Sequence, residues 1–175
     1  MSKSGNETLF KDEKKVLMVL QKNARGNIED IAKKCKLSPQ KVSQIIKKLE
    51  AEKTIWGYSA ISDERNYNLK HYVMFIKRTS IPFDKSAVEF MVTGRLEQLV
   101  PNIEFKIENA EYVHGLYDGI VSFWTDNIVS AKKFVSEFNK KYQECVSNVV
   151  LLETLIPLRR NGIKNPNMKK DASFL

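Results

Sequence analysis

The chain has 175 residues, with 29 Lys or Arg against 21 Asp or Glu and a net charge of +8. That length exceeds one small domain and implies two, while the charge fits a polyanionic partner and says nothing about fold. Two cysteines far apart in sequence, Cys35 and Cys145, frame neither a disulfide scaffold nor a zinc site. Nothing approaches the run of about 18 apolar residues that a membrane span needs, and the opening MSKSGNETLF lacks a signal peptide's apolar core. A soluble cytoplasmic protein with no cofactor, no metal and no membrane partner is expected.

Val16, Leu17 and Leu20 form the apolar side of a first helix, which closes near Asn23–Gly26 with glycine at the C-terminal cap. Ile28, Ile31, Ala32 and Cys35 then recur at helical spacing, and Ser38-Pro39 supplies an N-cap with proline at the first helical position of another helix. In that helix Val42, Ile45, Ile46 and Leu49 make the buried stripe. Gln40, Lys41, Ser43, Gln44, Lys47 and Lys48 remain outside it. Ile55–Ile61 reads as a strand containing Gly57, the expected wing. Three helices and a wing describe a winged helix-turn-helix. A helical hairpin with solvated lysines is the competing reading of the middle segment alone, and the flanks argue against it.

The expected partner of this module is double-stranded DNA. Glutamine can bond adenine bidentately, lysine and serine can reach guanine or phosphate, and the helix N-terminus offers N–H groups to a phosphate oxygen. The expected contact set is Ser38, Gln40, Lys41, Ser43, Gln44, Lys47 and Lys48. Residues 1–60 hold thirteen Lys or Arg against seven Asp or Glu, so the excess charge is concentrated here.

The DNA-binding domain is placed at residues 1–61 and a polar linker at 62–70. The second domain, at 71–158, begins with the β-formers of residues 71–79. A helix of roughly fifteen residues capped by Asp84 and ended by Pro101 comes next, then alternation over Ile103–Ile107, a strand at Glu111–His114, a turn at Tyr117-Asp118-Gly119 and a strand at Ile120–Trp124. Asp126 or Asn127 caps a second helix, and a β-run over Val149–Leu158 closes the domain. The order βαββαβ makes an α+β, ferredoxin-like sheet with two helices on one face. Its open face calls for a sheet-on-sheet homodimer or a higher homo-oligomer. Residues 159–175 read as a basic, mobile tail.

Over roughly residues 9–160 the chain resembles the leucine-responsive and asparagine-regulator (Lrp/AsnC) family of transcription factors. The likeness is carried by Val16-Leu17, Leu20-Gln21, Asn23-Ala24-Arg25, Ile31-Ala32, Leu37-Ser38-Pro39, Val42, Leu49-Glu50, Ile55, Gly57-Tyr58 and Ala60. In the second domain it is carried by Val113-His114-Gly115-Leu116-Tyr117-Asp118, Val149 and Thr154. Departures are Leu9-Phe10 at the start, Lys36 and Lys53 where the family has glycine, Ile45 for a frequent arginine and His114 for threonine.

The resemblance implies a transcriptional regulator answering to a small-molecule effector, an amino acid, held near the Gly-x-Tyr-Asp turn at contacts between neighbouring dimers. Gly115, Tyr117 and Asp118 are the effector candidates. A tight hairpin, with Asp118 bonded to backbone and Gly119 at positive φ, explains the same residues without an effector. Siroheme decarboxylases resemble the same architecture, but their expected Trp-Pro-Tyr segment is absent and no triad, metal spacing or phosphate loop replaces it. A non-enzymatic regulator is the expectation, with an architectural or effector-independent DNA-binding protein as the alternative.

Overall fold

A computed structural model describes residues 3–168. The chain divides into two compact units: Met1–Ile61 together with the chain from Leu158, and Ser62–Pro157.

The first unit contains α1 (Lys3–Lys22), α2 (Ile28–Cys35) and α3 (Pro39–Ala51). Val16, Leu20, Ile31, Ala32, Cys35, Val42, Ile45 and Leu49 bury one shared core, with Ile46 packed at its margin. The side chain of Asn27 caps α2 by accepting from Asp30 N at 2.8 Å, and Ser38 Oγ caps α3 by accepting from Lys41 N at 3.3 Å. Both helices end in the same way. After α2, Leu37 N donates to Ala32 O and Lys36 N to Lys33 O; after α3, Thr54 N donates to Leu49 O and Lys53 N to Glu50 O. These paired bonds are Schellman turns, and their left-handed residues are Lys36 (φ 56°) and Lys53 (φ 58°). The lysines found where glycine was expected therefore keep glycine's backbone conformation, at a cost of about 1 kcal/mol each.

The expected wing strand at Ile55–Ile61 is not a strand. Ile55 packs against the helical core, but the segment after it makes no ladder among the described residues, and Trp56 stands 96 % exposed. An extended segment without a neighbouring strand has nowhere to place its backbone bonds except water. The expected tail also differs. β5 (Arg159–Arg160) and β6 (Ile163–Lys164) form a two-stranded antiparallel hairpin. Asn161 (φ 42°) and Gly162 (φ 80°) turn it, the Asn-Gly pair suiting a turn with two positive φ values. The hairpin belongs to the helical unit. Residues 169–175 of the expected tail lie outside the described residues.

The second unit carries β1 (Lys70–Arg78), α4 (Lys85–Val92), β2 (Phe105–Tyr112), β3 (Gly119–Thr125), α5 (Ile128–Lys141) and β4 (Val146–Glu153). The sheet order is β2-β3-β1-β4 and every pairing is antiparallel. Tyr72, Met74 and Ile76 alternate along β1 toward the helices, where Val121 and Phe123 of β3 meet Ala131, Phe134 and Phe138 of α5. The Phe134 ring lies 4.4 Å from Phe105 and 5.1 Å from Phe123. On the opposite sheet face the His71 ring lies 4.9 Å from that of Trp124, tilted by 56°. Its Nδ1 lies 2.7 Å from Thr154 Oγ1, and its Nε2 lies 2.9 Å from Glu108.

Three details depart from the expected boundaries. The segment read as a linker folds into a 3-10 turn at Glu64–Tyr67, within the second unit, and Lys106 pairs with Glu64 at 3.1 Å. α4 has 8 residues where roughly fifteen were expected. Gly94, at φ 67°, ends it by allowing Arg95 N to reach Phe90 O. β4 starts at Val146 and stops at Glu153, short of Leu158.

Candidate nucleic-acid interface and the turn before β3

α2 and α3 are placed by their caps and by the shared core, which leaves α3 with two different polar sides. On one side, Lys41 Nζ bonds Asp12 of α1 at 2.6 Å, and Lys15 bonds the other oxygen of the same carboxylate at 2.9 Å. Asp12 is only 5 % exposed. The hydrogen bonds from Lys41 and Lys15 hold its pKa below the ordinary carboxylate value against the opposing effect of burial. One helix repeat further on, Lys48 bonds Glu13 at 2.7 Å and reaches Glu52 at 3.8 Å. The bond to Glu13 raises the Lys48 pKa.

On the other side stand Gln40, Gln44 and Lys47, recurring at i, i+4 and i+7, all exposed. These three make no side-chain hydrogen bond or ion pair among the described residues. Ser43 is half-buried beside them, and Ser38 is committed to the cap. The seven expected contacts thus separate. Gln40, Ser43, Gln44 and Lys47 share an outward region, whereas Lys41 and Lys48 are drawn to α1 by its carboxylates. Sequence reasoning missed Asp12 and Glu13 as the partners. The available signal was the seven-residue spacing of Lys41 and Lys48, which puts them on one side of α3.

In the second unit Asp118 closes the turn between β2 and β3. Its N donates to Ile76 O at 2.8 Å, its carbonyl accepts from Val113 N at 3.0 Å, and its carboxylate accepts from Arg78 N at 2.8 Å. Lys77 Nζ lies 3.3 Å away. The Arg78 backbone N–H is the main cause of a lowered Asp118 pKa, with Lys77 adding to it. The carboxylate proposed to receive an ammonium group already has a backbone donor and a cation. The Tyr117 ring lies 5.1 Å from that of Phe75, tilted by 42°. The left-handed backbone of the turn is at Gly115 (φ 154°), and Gly119 is a β3 residue without positive φ.

Arg78 had no assigned role in the sequence reading. Its guanidinium lies 4.4 Å over the Phe83 ring; Nη1 donates to Tyr112 Oη at 2.8 Å and Nη2 to Ile81 O at 3.1 Å. A cation at the end of a β-forming run looks solvated in sequence, and only the fold brings Phe83 and Tyr112 to it.

Residues 13–55 match the HTH_24 family, described as winged helix-turn-helix DNA-binding. The chain is 27% identical over 129 residues to the uncharacterized HTH-type transcriptional regulator YugG of Bacillus subtilis (strain 168), covering 74% of this chain and 75% of that protein. Its fold is similar to that of B. subtilis LrpC, with a TM-score of 0.58 at 17% identity, covering 85% of this chain and 95% of the other. An AsnC family transcriptional regulator from Agrobacterium tumefaciens superposes with a TM-score of 0.61 at 20% identity, covering 85% and 92%. A transcriptional regulator from Neisseria meningitidis, solved as its L-Met complex, gives 0.63 at 18% identity and covers 91% and 97%. The two-domain fold is that of these regulators, and the helical unit carries the DNA-binding domain.

Proposed function

We propose that this chain, which carries a winged helix-turn-helix DNA-binding domain on the two-domain fold of the Lrp/AsnC regulators, controls transcription as a dimer-based, sequence-specific DNA-binding protein without enzymatic activity. The observation that carries the reading is the unpaired, exposed row of Gln40, Gln44 and Lys47 on a helix whose other polar side is tied down. Gln44 and Gln40 read base edges, Ser43 and Lys47 reach base or phosphate, and the capped start of α3 sits against the backbone. Lys41 and Lys48 position α3 through Asp12 and Glu13 in place of the direct DNA contacts first expected. The open face of the sheet joins two copies, so that two recognition helices meet two half-sites.

An effector reading is favoured by one finding, the L-Met complex of the Neisseria relative. A small molecule bound by the second unit, near the turn of Gly115, Tyr117 and Asp118, then changes assembly or DNA affinity. The test is a gel-shift titration against the chain's own upstream duplex and a scrambled duplex of equal length, at two salt concentrations, with and without pooled amino acids. Preference for the upstream duplex that survives the higher salt is expected. Equal affinity for both duplexes would refute sequence-specific regulation in favour of an architectural role.

A further inference from the structure

A crevice of about 690 Å³ opens in the second unit between α4 and the helix-covered face of the sheet. Its walls are apolar, from Ile76, Val88, Met91, Leu96, Val121 and Phe138. α4 covers it loosely, with no fully buried residue and with Val92 76 % exposed. At the mouth lies Arg78, pinned by Phe83, Tyr112 Oη and Ile81 O. Its Nε is buried with no hydrogen-bond partner, and its guanidinium forms no ion pair among the described residues. The neighbouring carboxylate, Asp118, is spent on the Arg78 backbone N–H and on Lys77.

Asp118 and Glu111 also line the crevice, but neither forms an ion pair with Arg78, and the planar fork of a guanidinium beside apolar walls matches a carboxylate better than any other common anion except phosphate. Apolar walls disfavour a phosphate, whose several charged oxygens need more donors than the crevice supplies. We propose that the crevice binds a small monocarboxylate with an apolar body, its carboxylate on Arg78 and its body beneath α4. The volume falls within the range of small-molecule pockets, about 300–1,000 Å³. This site lies inside one subunit, unlike the contacts between neighbouring dimers that the family resemblance implies. Occupation does not depend on the regulator reading; any effect of the ligand on DNA binding rests on it.

The test is calorimetric titration of the full chain with 3-phenylpropionate, L-phenylalanine and 3-phenylpropionamide. The carboxylates should bind at least tenfold more tightly than the neutral amide, and Arg78→Gln should remove that preference. Ala110→Phe fills the crevice from an exposed position on β2, and should abolish binding without moving the melting temperature, which keeps the test decisive if Arg78→Gln folds poorly. Tighter binding of phenylalanine assigns its ammonium to Glu111 at the mouth, and equal binding makes the carboxylate and apolar body sufficient; both outcomes support the site. Absence of heat with all three probes, equal affinity for the amide, or undiminished binding in Ala110→Phe would overturn it. Gel shifts run in parallel separate the two readings, because a chain that binds ligand but no DNA refutes the regulator and leaves the crevice site standing.

Discussion

Lys41 of α3 and Asp12 of α1 meet at 2.6 Å, around a carboxylate that is almost wholly shielded from water. A charge in that position holds two helices in one relative placement, because the ionised form needs both lysine donors. Asp12→Ala should destabilise the helical unit by about 1–2 kcal/mol, through the loss of two charge-assisted hydrogen bonds whose half-exposed lysines return to water. The check is urea denaturation followed by far-ultraviolet circular dichroism.

The same pair sets an acid limit. The Asp12 pKa is lowered in the folded state, so its contribution is fully present above the unfolded carboxylate value of about 3.9 and is lost as pH falls through the lower folded value. The urea midpoint of the helical unit should hold steady from neutral pH down to about pH 5 and fall below about pH 4. In Asp12→Asn the fall should be shallower. An unchanged acid limb in that variant would show that another carboxylate governs it.

DNA recognition should separate the two sides of α3. Gln44→Ala should reduce the operator-to-random affinity ratio by about tenfold or more, since a bidentate base contact is worth about 1–3 kcal/mol. Lys47→Ala should weaken binding to both duplexes and lower the salt slope by about 0.9, one released counterion. Lys48→Ala should leave that slope unchanged, because Glu13 already holds the ammonium group. A slope that fell in Lys48→Ala and not in Lys47→Ala would reverse the assignment of the two sides.

Lys36→Gly and Lys53→Gly should each stabilise the helical unit by up to about 1 kcal/mol, by removing a side chain from a left-handed backbone. Thermal or urea midpoints test this directly. Alanine at the same positions should gain nothing, because it keeps the Cβ atom.

Much of the architecture was legible because its determinants are local. Ser38-Pro39, the stripe of Val42, Ile45 and Leu49, and the alternation of Tyr72, Met74 and Ile76 each announce their element and its buried side. What escaped depended on distant neighbours. Whether Ile55–Ile61 becomes a strand is settled by the presence of a partner, and the fate of Lys41 is settled by a carboxylate 29 positions away. Gly94 ended α4 early although the apolar spacing ran on, since a glycine in a helical pattern reads as tolerated until its backbone is seen to turn left-handed. At the turn of Gly115, Tyr117 and Asp118 the residue types suited two incompatible roles, and the Arg78 N–H had no signature that could decide between them.

The grouping of the Arg159–Lys164 hairpin with the helical unit has a consequence for truncation of the chain. The three helices precede the entire sheet unit in the chain and the hairpin follows it. The helical unit is complete only when the hairpin joins helices from which it is separated by the whole sheet unit. A chain cut after Pro157 would therefore hold every strand of the four-stranded sheet and a helical unit without its hairpin.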